Sequence, residues 1–205
     1  MKLSKDQILY IDKALADAGF MYHDIRYEVT DHIAAALEQK EGDFNTEFTK
    51  YVAIHGSELF TIKRQFVKIA MRKTIIALCK NLLRPWAIIS VAAVTVLGMY
   101  AHNLYERADV ADTLQQVFYV VLFITLMLPF YRYFTGKPVY TAVAKAAGTL
   151  GLVICIGFPS LRVNRLLRNS DLLFTYYGLL ITVAIALLIT VLKLERTYKL
   201  RYHGI

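Results

Sequence analysis

Residue types that usually carry chemistry are scarce in this 205-residue chain. Its two cysteines, Cys79 and Cys155, lie in apolar helical context without the spacing of a metal site or a disulfide framework. Four prolines and ten glycines, with no sustained alternation of apolar and polar residues, leave little from which to build strands and turns. No phosphate-binding glycine loop, zinc spacing or nucleophile–base pair occurs. These absences predict an all-α, non-enzymatic protein, for which we assign no catalytic residue, no cofactor and no metal ligand.

Acidic residues are missing between positions 59 and 84, where the chain carries seven Lys and Arg residues. Residues 1–58, in contrast, hold six Lys and Arg against eleven Asp and Glu. A basic block that ends where a hydrophobic run begins is typical of contact with anionic lipid headgroups. The formal net charge of +8 is therefore assigned to a lipid bilayer as partner, and nucleic acid is not expected.

Long apolar runs follow residue 85, and about 20 helical residues suffice to cross the hydrocarbon layer of a membrane. We predict a bundle of four transmembrane helices over 85–193, with spans at about 85–101, 114–134, 139–158 and 172–192. These spans contain no Asp, Glu or His. A transporter path, which generally needs a charged or broken-helix site in mid-membrane, is therefore weakly supported.

The Lys and Arg residues that flank the spans place both termini in the cytoplasm. The loop between the third and fourth spans disagrees, because it places three arginines on the outer side. Either these arginines snorkel from an interfacial helix, or the third span is wrongly assigned. As candidate lipid-headgroup contacts we take Lys63, Arg64, Lys68, Arg72, Arg162, Arg165 and Arg168.

The pattern of apolar residues in the first 84 positions predicts short amphipathic helices. Ser4 and Gln7 have capping-box spacing, and Gly19 predicts the end of the first helix. The second helix starts near His23, and Asp43 can cap a third, which we expect to stop at Gly56 before a fourth begins. The predicted domains are an acidic cytoplasmic helical module (1–58), a basic juxtamembrane helix (59–84), the four spans and a basic cytoplasmic tail (194–205).

The second helix carries an acidic stripe of Asp24, Glu28 and Asp31, which share one face at 100° per residue. Three interpretations stay open: a solvated face, pairing with Arg26, Lys13 or the basic side of the fourth helix, or docking of another protein. His32 falls within the apolar face and is best interpreted as a hydrogen-bonded core histidine. The candidate partner-binding residues are Asp24, Arg26, Glu28, Asp31 and His32.

The sequence from Asp24 to Ile33, followed by Leu37-Glu38, contains an Arg-x-Glu-x-x-Asp-His core. It resembles the N-terminal helical module of small bacterial multi-pass membrane proteins, a group that includes HAAS-type signalling domains and permease-prefix domains. The resemblance covers residues 4–80. It implies a regulatory role, in association with a regulatory protein, in the bacterial inner membrane.

The leading hypothesis is thus a non-enzymatic, multi-pass membrane protein whose cytoplasmic module binds or senses a partner. The alternative is a small transporter or channel subunit in which four spans form a permeation path. Small residues in the third span, Ala144, Gly148 and Gly151, favour close packing within the bundle. A homodimer seam is the alternative interpretation of these residues.

Overall fold

The computed structural model describes residues 2–151, 154, 167 and 169–202, and regular structure within these residues is helical throughout. The helices are α1 (Lys5–Asp17), α2 (His23–Glu38), α3 (Phe44–Leu82), α4 (Pro85–His102), α5 (Arg107–Phe134), α6 (Thr141–Lys145) and α7 (Ser170–Tyr202). A π-helical turn, Ala146–Leu150, directly continues α6. The predicted all-α class is confirmed for this part of the chain.

The first two helices and the first half of α3 enclose a hydrophobic core, and we call residues 2–67 the N-terminal unit. Ile11, Phe20, Ile25, Ile33 and Leu37 are each at most 2% exposed in this core. The α2 members recur every four residues or a multiple of four, as expected for one buried helix face. The unit therefore folds around an amphipathic pattern that the sequence already shows.

Local signals at the ends of these helices behave as predicted. The Ser4 hydroxyl accepts a hydrogen bond from the Gln7 backbone N–H at 3.3 Å, and the Gln7 side chain accepts one from the Ser4 N–H at 2.8 Å. Gly19 has a φ of +85° just after α1, a conformation that costs glycine little. Asp43 caps α3 by accepting from the Thr46 N–H at 3.1 Å.

The predicted break at Gly56 is wrong, because α3 continues through it for 39 residues, about 58 Å at 1.5 Å per residue. Tyr51 and Leu59, on either side of Gly56, are buried in the same core. This shared burial offsets the cost of about 1 kcal/mol for glycine inside a helix. The predicted domain boundary at 58/59 therefore falls within one helix.

The remaining helices form an apolar bundle with α7 at its centre. Helix α7 packs against α3, α4, α5 and α6, and its Ala184, Ala186 and Leu187 are fully buried. Helix α4 approaches α7 so closely that a Cβ on Gly178 would lie 3.0 Å from the Val91 carbonyl oxygen. The outward side of α4, by contrast, exposes large apolar residues such as Ile88.

Three helices are long and apolar enough to cross a membrane: Pro85–His102, Arg107–Phe134 and Ser170–Tyr202. They contain the first, second and fourth predicted spans. The third predicted span, 139–158, is not among them. Helix α6 and the π-helical turn form its beginning, and most of its second half lies outside the described residues.

Two hydrogen bonds show at which end of the bundle residues 142 and 167 lie. At the end that carries the N-terminal unit, the Ala142 carbonyl accepts a hydrogen bond from the Thr74 hydroxyl at 3.4 Å. At the opposite end, the Leu167 carbonyl accepts one from Arg107 at the start of α5. Ile154 packs in the bundle core between these ends. The described residues 142 and 167 therefore lie at opposite ends of the bundle.

Candidate functional site

The N-terminal unit lies against the bundle where the start of α2 meets the start of α6 and the end of α7. The His23 backbone N–H donates to the Val139 carbonyl at 3.0 Å, and the His23 and Tyr140 rings meet with centroids 6.2 Å apart. The rings of Tyr27 and Tyr202 also contact, with centroids 5.5 Å apart. We call the contact of residues 23–28 with 139–141 and 201–202 the docking contact.

Asp24 is the most buried charged side chain of the docking contact, at 7% exposure. Its Oδ1 accepts hydrogen bonds from both the backbone N–H and the hydroxyl of Thr141, each at 2.9 Å. Thr141 is the first residue of α6, and the N-cap residue Tyr140 makes no side-chain cap bond. Asp24 therefore caps α6 from a distant part of the chain.

Burial raises the pKa of Asp24 above its ordinary value of 3.8, although the Thr141 hydrogen bonds act in the opposite direction. The neutral form is favoured because the charged form has lost its water. The docked state of the N-terminal unit is thus coupled to the protonation of one carboxyl group.

Glu28 makes the second polar part of the docking contact, one helical turn after Asp24. Its Oε1 accepts a hydrogen bond from the Tyr202 hydroxyl at 3.0 Å and lies 3.4 Å from an Arg201 guanidinium nitrogen. The Arg201 side chain is 65% exposed, so water screens this ion pair and it contributes about 1 kcal/mol or less. The buried Asp24 bonds therefore dominate the polar energy of the contact.

A buried polar layer lies behind the docking contact. Arg132 of α5 pairs with Glu195 of α7 and donates to the Pro138 carbonyl at 3.3 Å. Tyr140 is 1% exposed. Among the described residues, neither its hydroxyl nor the Oε2 of Glu195 has a hydrogen-bond partner.

A second polar cluster joins the end of α3 to α7. Asn81, 4% exposed, donates to the Thr190 hydroxyl at 2.7 Å and accepts from the Lys193 ammonium at 3.1 Å. Lys193 is the first cation after the apolar part of α7. Both polar clusters therefore lie at the same end of the bundle as the N-terminal unit.

The five sequence-predicted partner-binding residues fall into three environments. Asp24 and Glu28 lie in the docking contact, where they contact Thr141, Tyr202 and Arg201 rather than Arg26, Lys13 or the basic side of α3. Arg26 pairs within the unit, with its Nε 2.7 Å from Oδ1 of Asp12. Asp31 is exposed beyond the end of the docking contact.

The interpretation of His32 as a core histidine is wrong, because its side chain is exposed. Helix α2 buries the face that contains Val29 and Ile33. His32 lies beside Ile33 in the sequence but outside that buried face.

Sequence reasoning missed Thr141, Arg201 and Tyr202, which hold the acidic stripe in the structure. Thr141 stands three residues after Pro138, a weak helix-start signal. The basic tail gives the sign of charge that Glu28 meets but not the residue. Nothing in the sequence alone pairs α2 with these distant positions.

Four of the seven predicted lipid-headgroup cations lie on α3. Lys63 makes its contacts within the N-terminal unit. Its ammonium donates to the Gly19 carbonyl at 2.8 Å and lies 4.9 Å from the Phe20 ring centroid. Arg64, Lys68 and Arg72 are exposed. The predictions for Arg162, Arg165 and Arg168 lie outside the described residues.

Comparison with known proteins gives no relative: the chain matches no family model, no curated protein and no solved structure. The resemblance to HAAS-type and permease-prefix modules therefore stays a prediction. In the described part of the chain, no group of three or more His, Cys, Asp or Glu side chains is placed to hold a metal ion.

Proposed function

We propose that the chain is a non-enzymatic, multi-pass regulatory protein of the bacterial inner membrane, in which a cytoplasmic N-terminal unit binds a protein partner. The observation that supports this most is the docking contact. Asp24 and Glu28 belong to the acidic stripe, and the bundle already occupies both of them. A partner that needs the whole stripe must therefore compete with the bundle.

Membrane insertion is supported by where the apolar side chains lie. Ile88, Val96 and Leu97 of α4 are each at least 63% exposed, and Phe123 of α5 is 61% exposed. So much exposed apolar surface on helices of spanning length suits lipid as the solvent. Residues 142 and 167 lie at opposite ends of the bundle, and this placement supports a further span between them in addition to α4, α5 and α7.

The distribution of charge supports a cytoplasmic location for the end that carries the N-terminal unit. Lys80, Arg84, Arg132, Lys137 and Lys193 lie near that end, whereas Arg107 lies at the other. Cytoplasmic loops carry the excess of Lys and Arg in inner-membrane proteins. Because Glu28 contacts Arg201, both terminal segments share this side.

Competition gives the N-terminal unit two states. In the docked state, the stripe is held by Thr141 and Tyr202, and only Asp31 is exposed. In the released state, all three acids face solvent and can meet a basic partner. The membrane bundle thus controls access to the stripe, because whatever weakens the docking contact exposes the partner surface.

The transporter alternative receives no support from a specific contact. Thr95 and Thr125 donate to the carbonyls of Val91 and Val121 in their own helices. Thr182 donates to Ser90 between α4 and α7 at 3.0 Å. These hydroxyls are therefore already used for helix packing.

Photo-crosslinking in cells tests the competition. A photoreactive residue placed at the exposed position Ala35, one turn beyond Asp31, should cross-link the full-length chain to its partner protein. The yield should rise when Thr141→Val and Arg201→Gln weaken the docking contact from the bundle side, which leaves the stripe unaltered. It should fall when Asp31→Lys reverses the exposed charge.

The matched control places the same photoreactive residue at Leu9, which is 65% exposed on α1. Yield at Leu9 should not respond to either set of variants. Capture at position 35 that is indifferent both to the bundle-side variants and to Asp31→Lys would contradict the proposal.

A further inference from the structure

A groove lies where the N-terminal unit meets α5 and α6, and we call it the lateral groove. Its volume is about 330 Å³ and its walls are almost wholly apolar. Met21 and Tyr22 contribute from the N-terminal unit, Phe130 and Tyr133 from α5, and Ala144 and Gly148 from α6 and the π-helical turn. The groove therefore spans the boundary between the two parts of the molecule.

The floor of the lateral groove has room for a ligand. Among the described residues, a Cβ added to Gly148 would meet no atom within 4 Å, so these residues leave space above it. Gly148 stands in the middle of the π-helical turn Ala146–Leu150. Such turns are rare and frequently occur at functional sites.

The groove also lies at a depth where hydrocarbon meets headgroups. Phe130 and Tyr133 belong to the last turns of α5, a helix able to span a membrane, and are 56% and 65% exposed. The buried pair of Arg132 and Glu195 lies at the same level. In a membrane, the groove would therefore lie near the boundary between hydrocarbon and headgroups.

Two cations accompany the apolar walls. Lys137 precedes the groove residue Val139 by two positions and is exposed, and Lys145 follows Ala144 directly. Lys145 is half-buried, and its ammonium has no ion pair within the described residues. Apolar walls flanked in the sequence by two cations suit an acyl chain that carries an anionic headgroup.

We propose that the lateral groove binds one acyl chain of an anionic phospholipid, with the lipid phosphate held by Lys137 and Lys145. Because Met21 and Tyr22 form one wall, the bound lipid bridges the N-terminal unit and the bundle and strengthens the docked state. The proposal rests on the membrane location given under Proposed function. It adds a lipid as a second control on the docking contact.

Native mass spectrometry of the purified full-length protein tests the site, with phosphatidylglycerol and phosphatidylcholine added separately as probes. Phosphatidylglycerol should remain bound under conditions that remove phosphatidylcholine. Gly148→Leu, which fills the open space, should weaken phosphatidylglycerol binding by about tenfold or more, because it displaces several methylene groups of the lipid. Ala93→Leu, which adds the same side chain to the exposed side of α4, should leave binding unchanged.

Headgroup recognition is tested by Lys137→Gln with Lys145→Gln, compared with Lys80→Gln on α3. The first pair should abolish the preference for phosphatidylglycerol, and Lys80→Gln should not. Equal binding of both lipids to the wild-type protein, or retention by Gly148→Leu, would overturn the site.

A measurement on the wild-type chain keeps the test valid if Gly148→Leu does not fold. Photoactivatable phosphatidylglycerol in nanodiscs should label peptides around Phe130 and Gly148 rather than those around Val96. Labelling concentrated around Val96 overturns the proposal. Carbonate extraction of membranes is measured in parallel. If the chain resists extraction but does not bind phosphatidylglycerol at the groove, only this proposal is refuted. If carbonate extracts the chain, the membrane location itself is refuted.

Discussion

The N-terminal unit and the apolar bundle are built from the same kind of helix but are stabilised differently. The unit buries large side chains such as Phe20, Ile25 and Leu37 and turns charged residues outward. The bundle also buries large side chains such as Phe118 and Phe174, but α4 approaches α7 closely at Gly178, and other apolar residues of the bundle turn outward. Residues 1–58 carry a net excess of five acids, whereas residues 59–205 hold 18 Lys and Arg against five Asp and Glu. Opposite net charge thus favours docking. The two regions differ in the side chains that they expose, which are charged in the unit and apolar in the bundle.

Gly178→Ala should give the largest loss of stability. It tests whether the close approach of α4 and α7 stabilises the bundle. The added Cβ would lie 3.0 Å from the Val91 carbonyl oxygen and 3.2 Å from the Thr95 hydroxyl. Backbone cannot yield easily, so the free energy of unfolding should fall by about 1–3 kcal/mol. Thermal unfolding in detergent measures it. An unchanged melting temperature would mean that α4 and α7 are not in close contact.

Asp24→Ala should weaken docking by about 1–3 kcal/mol, because it leaves the Thr141 N–H and hydroxyl buried without an acceptor. Asp24→Asn is the matched control: it keeps a carbonyl oxygen for Thr141 and should cost less. The fraction of protein whose N-terminal unit is docked can be read by disulfide trapping. Equal loss in both variants would show that the hydrogen bonds to Thr141 are unimportant.

The pH dependence of docking should have a definite sign. The pKa of Asp24 is raised in the docked state by burial, so docking takes up a proton. The stabilisation is complete below the ordinary pKa of 3.8 and is lost as pH rises through the raised value. The change should be smaller than for Asp24→Ala because the bonds from Thr141 persist. Asp24→Asn should lack this component, and a wild-type profile identical to that of Asp24→Asn would contradict the assignment.

Gly56→Ala should give the smallest effect, and of the opposite sign to Gly178→Ala. Gly56 lies inside α3, and a Cβ there would meet no atom within 4 Å. Alanine should therefore stabilise the helix by about 0.5–1 kcal/mol through the lower entropy of the unfolded chain. Urea unfolding in detergent can measure it. A loss of stability would indicate that α3 bends at Gly56 in solution, as the sequence alone suggested.

Sequence reasoning succeeded where structure depends on neighbours in the chain. The Ser4–Gln7 capping box, the Asp43 cap and the end of α1 at Gly19 are all local events and were predictable. The long apolar helix α4, which contains the first predicted span, was predictable because composition over about 20 residues decides it. The failure at Gly56 is of another kind, since shared burial of Tyr51 and Leu59 overrides the local preference of glycine.

The docking contact could not be predicted from such local sequence patterns. Asp24 and Thr141 lie 117 positions apart, and a helical wheel shows which acids share a face but not which of them another helix covers. Burial therefore divides the stripe in a way the sequence does not: Asp24 is covered, Glu28 is half-covered and Asp31 is exposed. His32 was misplaced for the same reason.

Disulfide trapping of the docking contact in native membranes tests its existence most directly. In a chain with Cys79→Ser and Cys155→Ser, His23→Cys and Val139→Cys should cross-link on mild oxidation. The backbone hydrogen bond of 3.0 Å between these residues brings their Cα atoms within the roughly 4–7 Å that a disulfide spans. Asp31→Cys with Val139→Cys, two turns farther along α2, should not cross-link. A His23–Val139 yield no greater than that of this control pair would contradict docking of the N-terminal unit on the bundle.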